Sequence, residues 1–331
     1  MSQEPQSRLE SAGKRALVEL AMLGERARFA LLGRPDPSSA ILVAGSGRSG
    51  TTWLMSVLSS AVGVQPIFEP LFPVASPAAR RLTGFRGHDR RYLSSYYLRP
   101  GGEYPQWQRF LHDALSGKVR SYWTDFERAS VFPRRFAIKL IRANLMLGYI
   151  HDHFRPSIVY ITRHPCAVVG ARVRLGWRSA VADILRQGAL IEDHLRPHAD
   201  RIARETDRLG THAVWWAVEN LVAGTELATR PHYRLTYEEL CMRPVELARD
   251  LAQWLELRLP RRLERIVERP SRLSRRTHRE LSVEERLSLW KKELDAQGQR
   301  RVLSWARRLG VEGYDEGLLP TGARPSGIMN P

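Results

Sequence analysis

Cysteine is nearly absent from this 331-residue chain: Cys166 and Cys241 are the only two, in unrelated contexts and without a Cys-x-x-Cys or Cys-plus-His spacing. Neither a disulfide framework nor a zinc-ligand set follows from them. Lysine is scarce as well, confined to positions 14, 118, 139, 291 and 292, so that 47 of the 52 basic residues are arginines. No apolar run approaches the ~20 residues that span a bilayer, and the first residues lack the apolar core of a signal peptide. The expectation is a cytoplasmic protein.

What the chain has is arginine. With 52 basic against 35 acidic residues the formal charge is +17, which predicts a positive field that concentrates anionic ligands. The basic residues are scattered through helical stretches and not gathered in one block, so nucleic acid is not the expected partner. A composition of 43% hydrophobic and 26% charged residues is that of a globular protein. The length suits one large domain, expected over residues 40–315. Residues 1–39 read as a helical extension, and residues 316–331 as a tail with the Gly, Pro and Ser content of a loose terminus. Ser11 to Leu32 repeats apolar residues at helical spacing between Arg and Glu. This pattern suits packing on the domain, the primary expectation, or peripheral contact with a membrane.

Short apolar runs alternate with longer helical stretches, the signature of an α/β fold with a P-loop-like parallel sheet flanked by helices. AILVA (Ala40 to Ala44), RFAIKLI (Arg135 to Ile141) and SIVYIT (Ser157 to Thr162) read as buried parallel strands. VQPIF (Val64 to Phe68) and HYRLT (His232 to Thr236) are weaker candidates. Helices are expected over 52–61, 145–154, 167–175 and 211–228, and a mostly helical region runs from Tyr237 to Leu309. Residues 73–133 show no clean periodicity and carry many aromatics, as a lid or substrate wall does.

The strongest signal is GSGRSGTTW, Gly45 to Trp53, between strand AILVA and helix TTWLMSVLSSA. Strand, glycine-rich loop and helix make a phosphate cradle, because backbone N–H groups turn inward and the helix N-terminus adds its positive end. The spacing nearly satisfies the triphosphate loop G-x-x-x-x-G-K-[ST], but Thr51 stands where the lysine should be. Without that point charge, triphosphate chemistry loses a principal contact; a cation sits instead within the loop as Arg48. A second strand-to-helix junction, SIVYITRHPCAVVGARVRLGW, puts Arg163 at a strand end and Pro165 near the first helical position. That is where an open α/β sheet binds ligands.

At both places the sequence resembles the sulfotransferases that use 3′-phosphoadenosine-5′-phosphosulfate (PAPS) as donor, and its motifs resemble the carbohydrate enzymes of that family most. Arg48-Ser49-Gly50-Thr51-Thr52-Trp53 is similar to their 5′-phosphosulfate loop. The segment from Arg163 is similar to their 3′-phosphate segment, matching Arg163, Pro165, Ala167, Val168 and Arg172 but carrying Ala171 where that pattern has serine. The resemblance implies that Arg48, Ser49, Gly50, Thr51, Thr52, Trp53 and Arg163 hold the donor, released as adenosine 3′,5′-bisphosphate, without a metal. It adds Ser271 and Arg272, in a basic loop expected over the nucleotide. Arg172 and Arg174 are candidates to replace the missing serine, although a solvated helix face is the simpler reading of both.

An acceptor hydroxyl needs a base. Glu69, in FEPL after the second strand, is the first candidate, ahead of His88, His151, His153 and His164; FEPL resembles the sugar sulfotransferases. Lys139, at the end of RFAIKLI, is expected to share the developing charge with Arg48. A glycan or glycoconjugate is the expected acceptor. The competing readings are a P-loop nucleotide kinase and a non-catalytic module that binds nucleotide or polyanion.

Overall fold

The computed structural model describes residues 16, 19–25, 27–87, 95–121, 124–125, 133–267, 281–321 and 326–330. Six strands form one sheet: β1 (Ile41–Ala44), β2 (Val64–Phe68), β3 (Arg135–Lys139), β4 (Ser157–Thr162), β5 (His232–Thr236) and β6 (Gly327–Met329), in the order β2-β3-β1-β4-β5-β6. The first five are parallel, and β6 pairs antiparallel with β5. The tail, expected as a loose terminus, therefore closes one edge of the sheet. β2 closes the other, and as an edge strand it tolerates Pro66, which has no N–H to give a further neighbour.

β1 is buried along its whole length, since helices cover both faces of the sheet. Alternation divides its side chains: Leu42 and Ala44 join Ile67, Ile138 and Ile158 on one face, while Ile41 and Val43 join Trp53, Leu54 and Val159 on the other. The helix Thr51–Ser59 packs on the second face, and Leu147–Phe154 on the first. A third cluster gathers Arg208–Leu227, Pro165–Arg174 and Ala296–Arg308 around Trp215, Trp216, Val168 and Leu303. Within residues 73–133, without periodicity in sequence, the described residues include the helices Pro77–Thr83 and Pro105–Leu115, each with proline in its first turn.

From β1 the chain crosses towards β2 and β3, and from β4 it crosses the opposite way to β5. The carboxyl ends of β1 and β4 therefore flank a topological switch point, the crevice in which open α/β sheets bind ligands. Gly45 to Gly50 follows β1 and Arg163 follows β4, so both sequence motifs open onto it.

The buried carboxylate of Glu226 accepts through Oε2 from Gly148 N at 2.7 Å, while Oε1 has no partner. Burial pushes its pKa up to about 7. A carboxyl whose folded pKa lies above its unfolded value contributes stability at low pH that is lost as pH rises through the folded value. Glu226→Gln removes this dependence. Denaturant unfolding at pH 5 and pH 8 should show the variant gaining up to about 3 kcal/mol on the parent at the higher pH; an unchanged difference between the two pH values would refute it.

Candidate active site

The glycine loop is shaped by contacts that leave no room for side chains at two positions. A Cβ on Gly45, whose φ is +147°, would lie 2.2 Å from Ile161 O, and one on Gly50, with φ +94°, would lie 2.5 Å from the Tyr237 ring. Between them Arg48 adopts φ +85°, a left-handed conformation that costs a non-glycine residue free energy. Glu69, with φ +47°, is another of the four described non-glycine residues in that region. Two candidate site residues thus hold strained backbone, which persists only where the surroundings over-determine it.

Those surroundings are polar and buried. Arg172 has no exposed surface; its Nε donates to Gly47 O at 3.3 Å and its Nη2 to Glu219 Oε2 at 2.8 Å. Ser46 Oγ donates to the same Glu219 oxygen at 2.7 Å and accepts from Asn220 Nδ2 at 3.2 Å. The Arg172 guanidinium also lies 3.9 Å from the Trp215 ring centre. On the other side of the loop, Gly45 N donates to Asn144 Oδ1 at 3.0 Å, and Asn144 Nδ2 to Ile141 O at 3.0 Å. The reading of Arg172 as a solvated helix face is thereby corrected: it is the floor of the loop. Arg174, on the same helix, pairs with Glu293.

Above that floor the loop offers donors without acceptors. The N-cap of Thr51–Ser59 is Gly50, with no side-chain cap bond, so the first-turn N–H groups are open to an anion. Ser49 Oγ, Arg48 Nε and Arg163 Nε are buried and unpartnered. Arg163 reaches the loop directly, with Nη1 donating to Arg48 O at 2.9 Å and its guanidinium 4.1 Å from the Tyr237 ring centre. Burial, then the charges of Arg163 and Arg174, push the Arg48 pKa down to about 10. A buried guanidinium beside other cations is poised for an anionic ligand.

The model of a sulfotransferase family matches residues 40–261. The chain belongs to that family. Among solved structures it is similar to the sulfotransferase domain from the curacin biosynthetic pathway, at 18% identity over 84% of this chain and 98% of that one, with a TM-score of 0.44. It is also similar to the sulfotransferase domain of the Synechococcus PCC 7002 olefin synthase, at 16% identity over 86% and 97%, TM-score 0.43. A sulfotransferase from Mycobacterium tuberculosis H37Rv follows at 12% over 87% and 84%, TM-score 0.41. The family assignment rests on the sequence match and not on these likenesses. No curated protein matches the chain.

In this sulfotransferase the second half of the site stands at the ends of β2 and β3. Glu69 N extends the ladder by donating to Lys139 O at 2.9 Å. The Glu69 carboxylate is buried among cations: Oε1 accepts from Ile141 N at 3.2 Å and lies 3.3 Å from Lys139 Nζ, and Oε2 accepts from Arg142 Nη1 at 2.9 Å. Arg142 was not singled out from sequence; burial holds its pKa below the usual range. A carboxylate has about four lone-pair sites, and these contacts leave one on Oε2 for a further donor. Segment 141–144 links the two halves, since Ile141 serves Glu69 and Asn144 serves Gly45.

Other candidates lie elsewhere. Trp53 is in the core, its Nε1 donating to Val267 O at 3.1 Å, and Ser271 and Arg272 are outside the described residues, as is His88. His164 is removed as a base: Nδ1 accepts from Cys166 N, Nε2 meets Asp315 O at 2.9 Å, the ring stacks on Trp290 at 4.2 Å, and burial pushes its pKa down to about 4. His151 and His153 sit on the last turn of Leu147–Phe154, which leads into the start of β4, the end of the sheet opposite the loop.

Glu219→Ala leaves Arg172 buried without its counter-charge and should cost ~3–5 kcal/mol in denaturant unfolding. The double variant Arg172→Met with Glu219→Leu should recover most of that loss. Equal stability of Glu219→Ala and the parent would show that the pair does not support the loop.

Proposed function

We propose that this sulfotransferase moves a sulfonate from PAPS to the hydroxyl of a carbohydrate or glycoconjugate, with residues 40–315 as one catalytic domain. The observation that carries the donor assignment is the convergence of two guanidiniums without carboxylate partners among the described residues, Arg48 and Arg163, on a helix N-terminus with no side-chain cap at the switch point. Thr51 in the lysine position argues against a triphosphate. The unpartnered Ser49 Oγ and the open amides of Gly50 to Thr52 suit the 5′-phosphosulfate, and Arg163, on the neighbouring strand end, suits the 3′-phosphate. Ala171 withholds one hydroxyl from that phosphate, a contact worth about 1.5–3 kcal/mol, and the fully buried Arg172 is turned to Glu219 and Gly47, with Nη1 alone unpartnered.

In the transfer, the acceptor oxygen attacks sulfur as the bond from sulfur to the bridging phosphate oxygen breaks, and the acceptor proton passes to Glu69 Oε2. Arg48 and Lys139 hold the negative charge that collects on the sulfonate and on the departing phosphate. The acceptor assignment draws on FEPL and on an aromatic pair near Arg142, the partner of Glu69: Tyr96 lies tilted against Trp107 with ring centres 4.9 Å apart and is near enough to Arg142 to act on its charge. No described helix is long and apolar enough to cross a membrane; a cytoplasmic site of action remains part of the proposal.

Transfer of labelled sulfonate from PAPS to a panel of mono- and oligosaccharides, phenols and glycolipids tests this. Turnover is expected on a sugar hydroxyl, with Arg48→Ala and Glu69→Gln each reducing it ~10²–10⁴-fold. Phosphoryl transfer from ATP with no sulfonate transfer would return the loop to the kinase reading. Donor binding without turnover on any acceptor would favour a non-catalytic module.

A further inference from the structure

The helix ahead of β1 has a face that remains exposed among the described residues. Residues 16, 19–25 and 27–32 are helical. Met22, Glu25 and Phe29 form its inner face and are buried. Phe29 meets Phe136 edge-on at 6.1 Å, and Glu25 pairs with Arg120 at 2.6 Å. The opposite face carries Ala16, Leu20, Leu23, Ala27 and Leu31 at intervals of three and four residues, all exposed. Leu20 is 64% exposed, Leu23 57%, Leu31 85% and the adjoining Leu32 73%. A surface helix normally turns a polar face outward, and a contiguous exposed apolar stripe marks an interaction surface.

Charge selects the occupant. Residues 14–34 contain five basic side chains against Glu19 and Glu25, and Glu25 is neutralised by Arg120. Arg28 and Arg34 lie within 5.5 Å of the Phe29 ring centre, Arg34 also donates to Gly117 O, and the neighbouring Lys118 pairs with Asp113 at 3.0 Å. A second copy would bring one +17 chain against another. An anionic bilayer instead offers an apolar layer for the leucines and negative headgroups for the flanking cations.

We infer that this helix docks the protein on an anionic membrane surface, with Leu20, Leu23 and Leu31 entering the boundary between headgroups and acyl chains. A chain of contacts links the helix to the site. Arg120 joins Glu25 to Asp125, Thr124 Oγ1 donates to Asp125 at 2.8 Å, and Thr124 O accepts from Phe68 N at 2.9 Å, one residue before Glu69. The inference stands independently of the donor and acceptor proposed above.

Cosedimentation of the full chain with vesicles of phosphatidylcholine alone, or containing about 30% phosphatidylglycerol, tests it at low and high salt. Binding to the anionic vesicles is expected, weakening with salt. The triple variant Leu20→Ser, Leu23→Ser, Leu31→Ser should bind at least about tenfold more weakly with an unchanged thermal midpoint. No binding to anionic vesicles, or equal binding by the triple variant, overturns the inference. A dimer seen by light scattering in the parent and absent from the triple variant, without vesicle binding, would overturn it too and assign the face to a second copy.

Discussion

Arg172, a guanidinium with no exposed surface, lies against the Trp215 ring and gives one N–H to the Glu219 carboxylate and another to the carbonyl of Gly47. The same carboxylate oxygen takes the hydroxyl of Ser46, so one buried ion pair reaches two consecutive residues of the glycine loop. Burying the two charges is costly unless each is paired and hydrogen-bonded; here the loop itself supplies part of that satisfaction. Loop conformation and core stability are therefore coupled. The left-handed backbone of Arg48, which its own side chain disfavours, is held by the residues immediately before it.

With the floor fixed from below, the ligand-facing groups need not reorganise. Ser49 Oγ and the Nε atoms of Arg48 and Arg163 stand buried without partners before any ligand arrives, a cost that pre-organised electrostatic sites carry and that an anion relieves. Arg163 is fixed with equal care. The following His164 gives its N–H to Glu238, its ring to Trp290 and Nε2 to Asp315 O. C-terminal segments thus hold one arginine, the helix Arg208–Leu227 holds the loop, and segment 141–144 ties the loop to Glu69.

Much of this was legible in sequence, for physical reasons. β2, β4 and β5 lie at their expected limits, because buried parallel strands are short apolar runs. The loop was legible because glycine spacing, strand and helix occur together. β6 was not: three residues pairing antiparallel at an edge carry no apolar run. Arg172 and Arg174, two residues apart on one helix, point to opposite sides of it, but only the packing shows which side is buried. Glu219 stands in the sequence as the one acid within WWAVENLVAG, residues 215–224. A lone carboxylate in an apolar helix is a signal that it meets a buried cation. Arg142 follows Glu69 by 73 residues, and no periodicity connects them.

The central claim is that the loop, Arg48 and Arg163 form one site for a nucleotide bearing phosphates at both the 3′ and 5′ positions. Calorimetric titration with adenosine 3′,5′-bisphosphate, beside ATP and AMP, measures it most directly. Tight binding selective for the bisphosphate, lost in both Arg48→Ala and Arg163→Ala, is the predicted result. No binding by the parent protein, or a preference for ATP, would contradict the account.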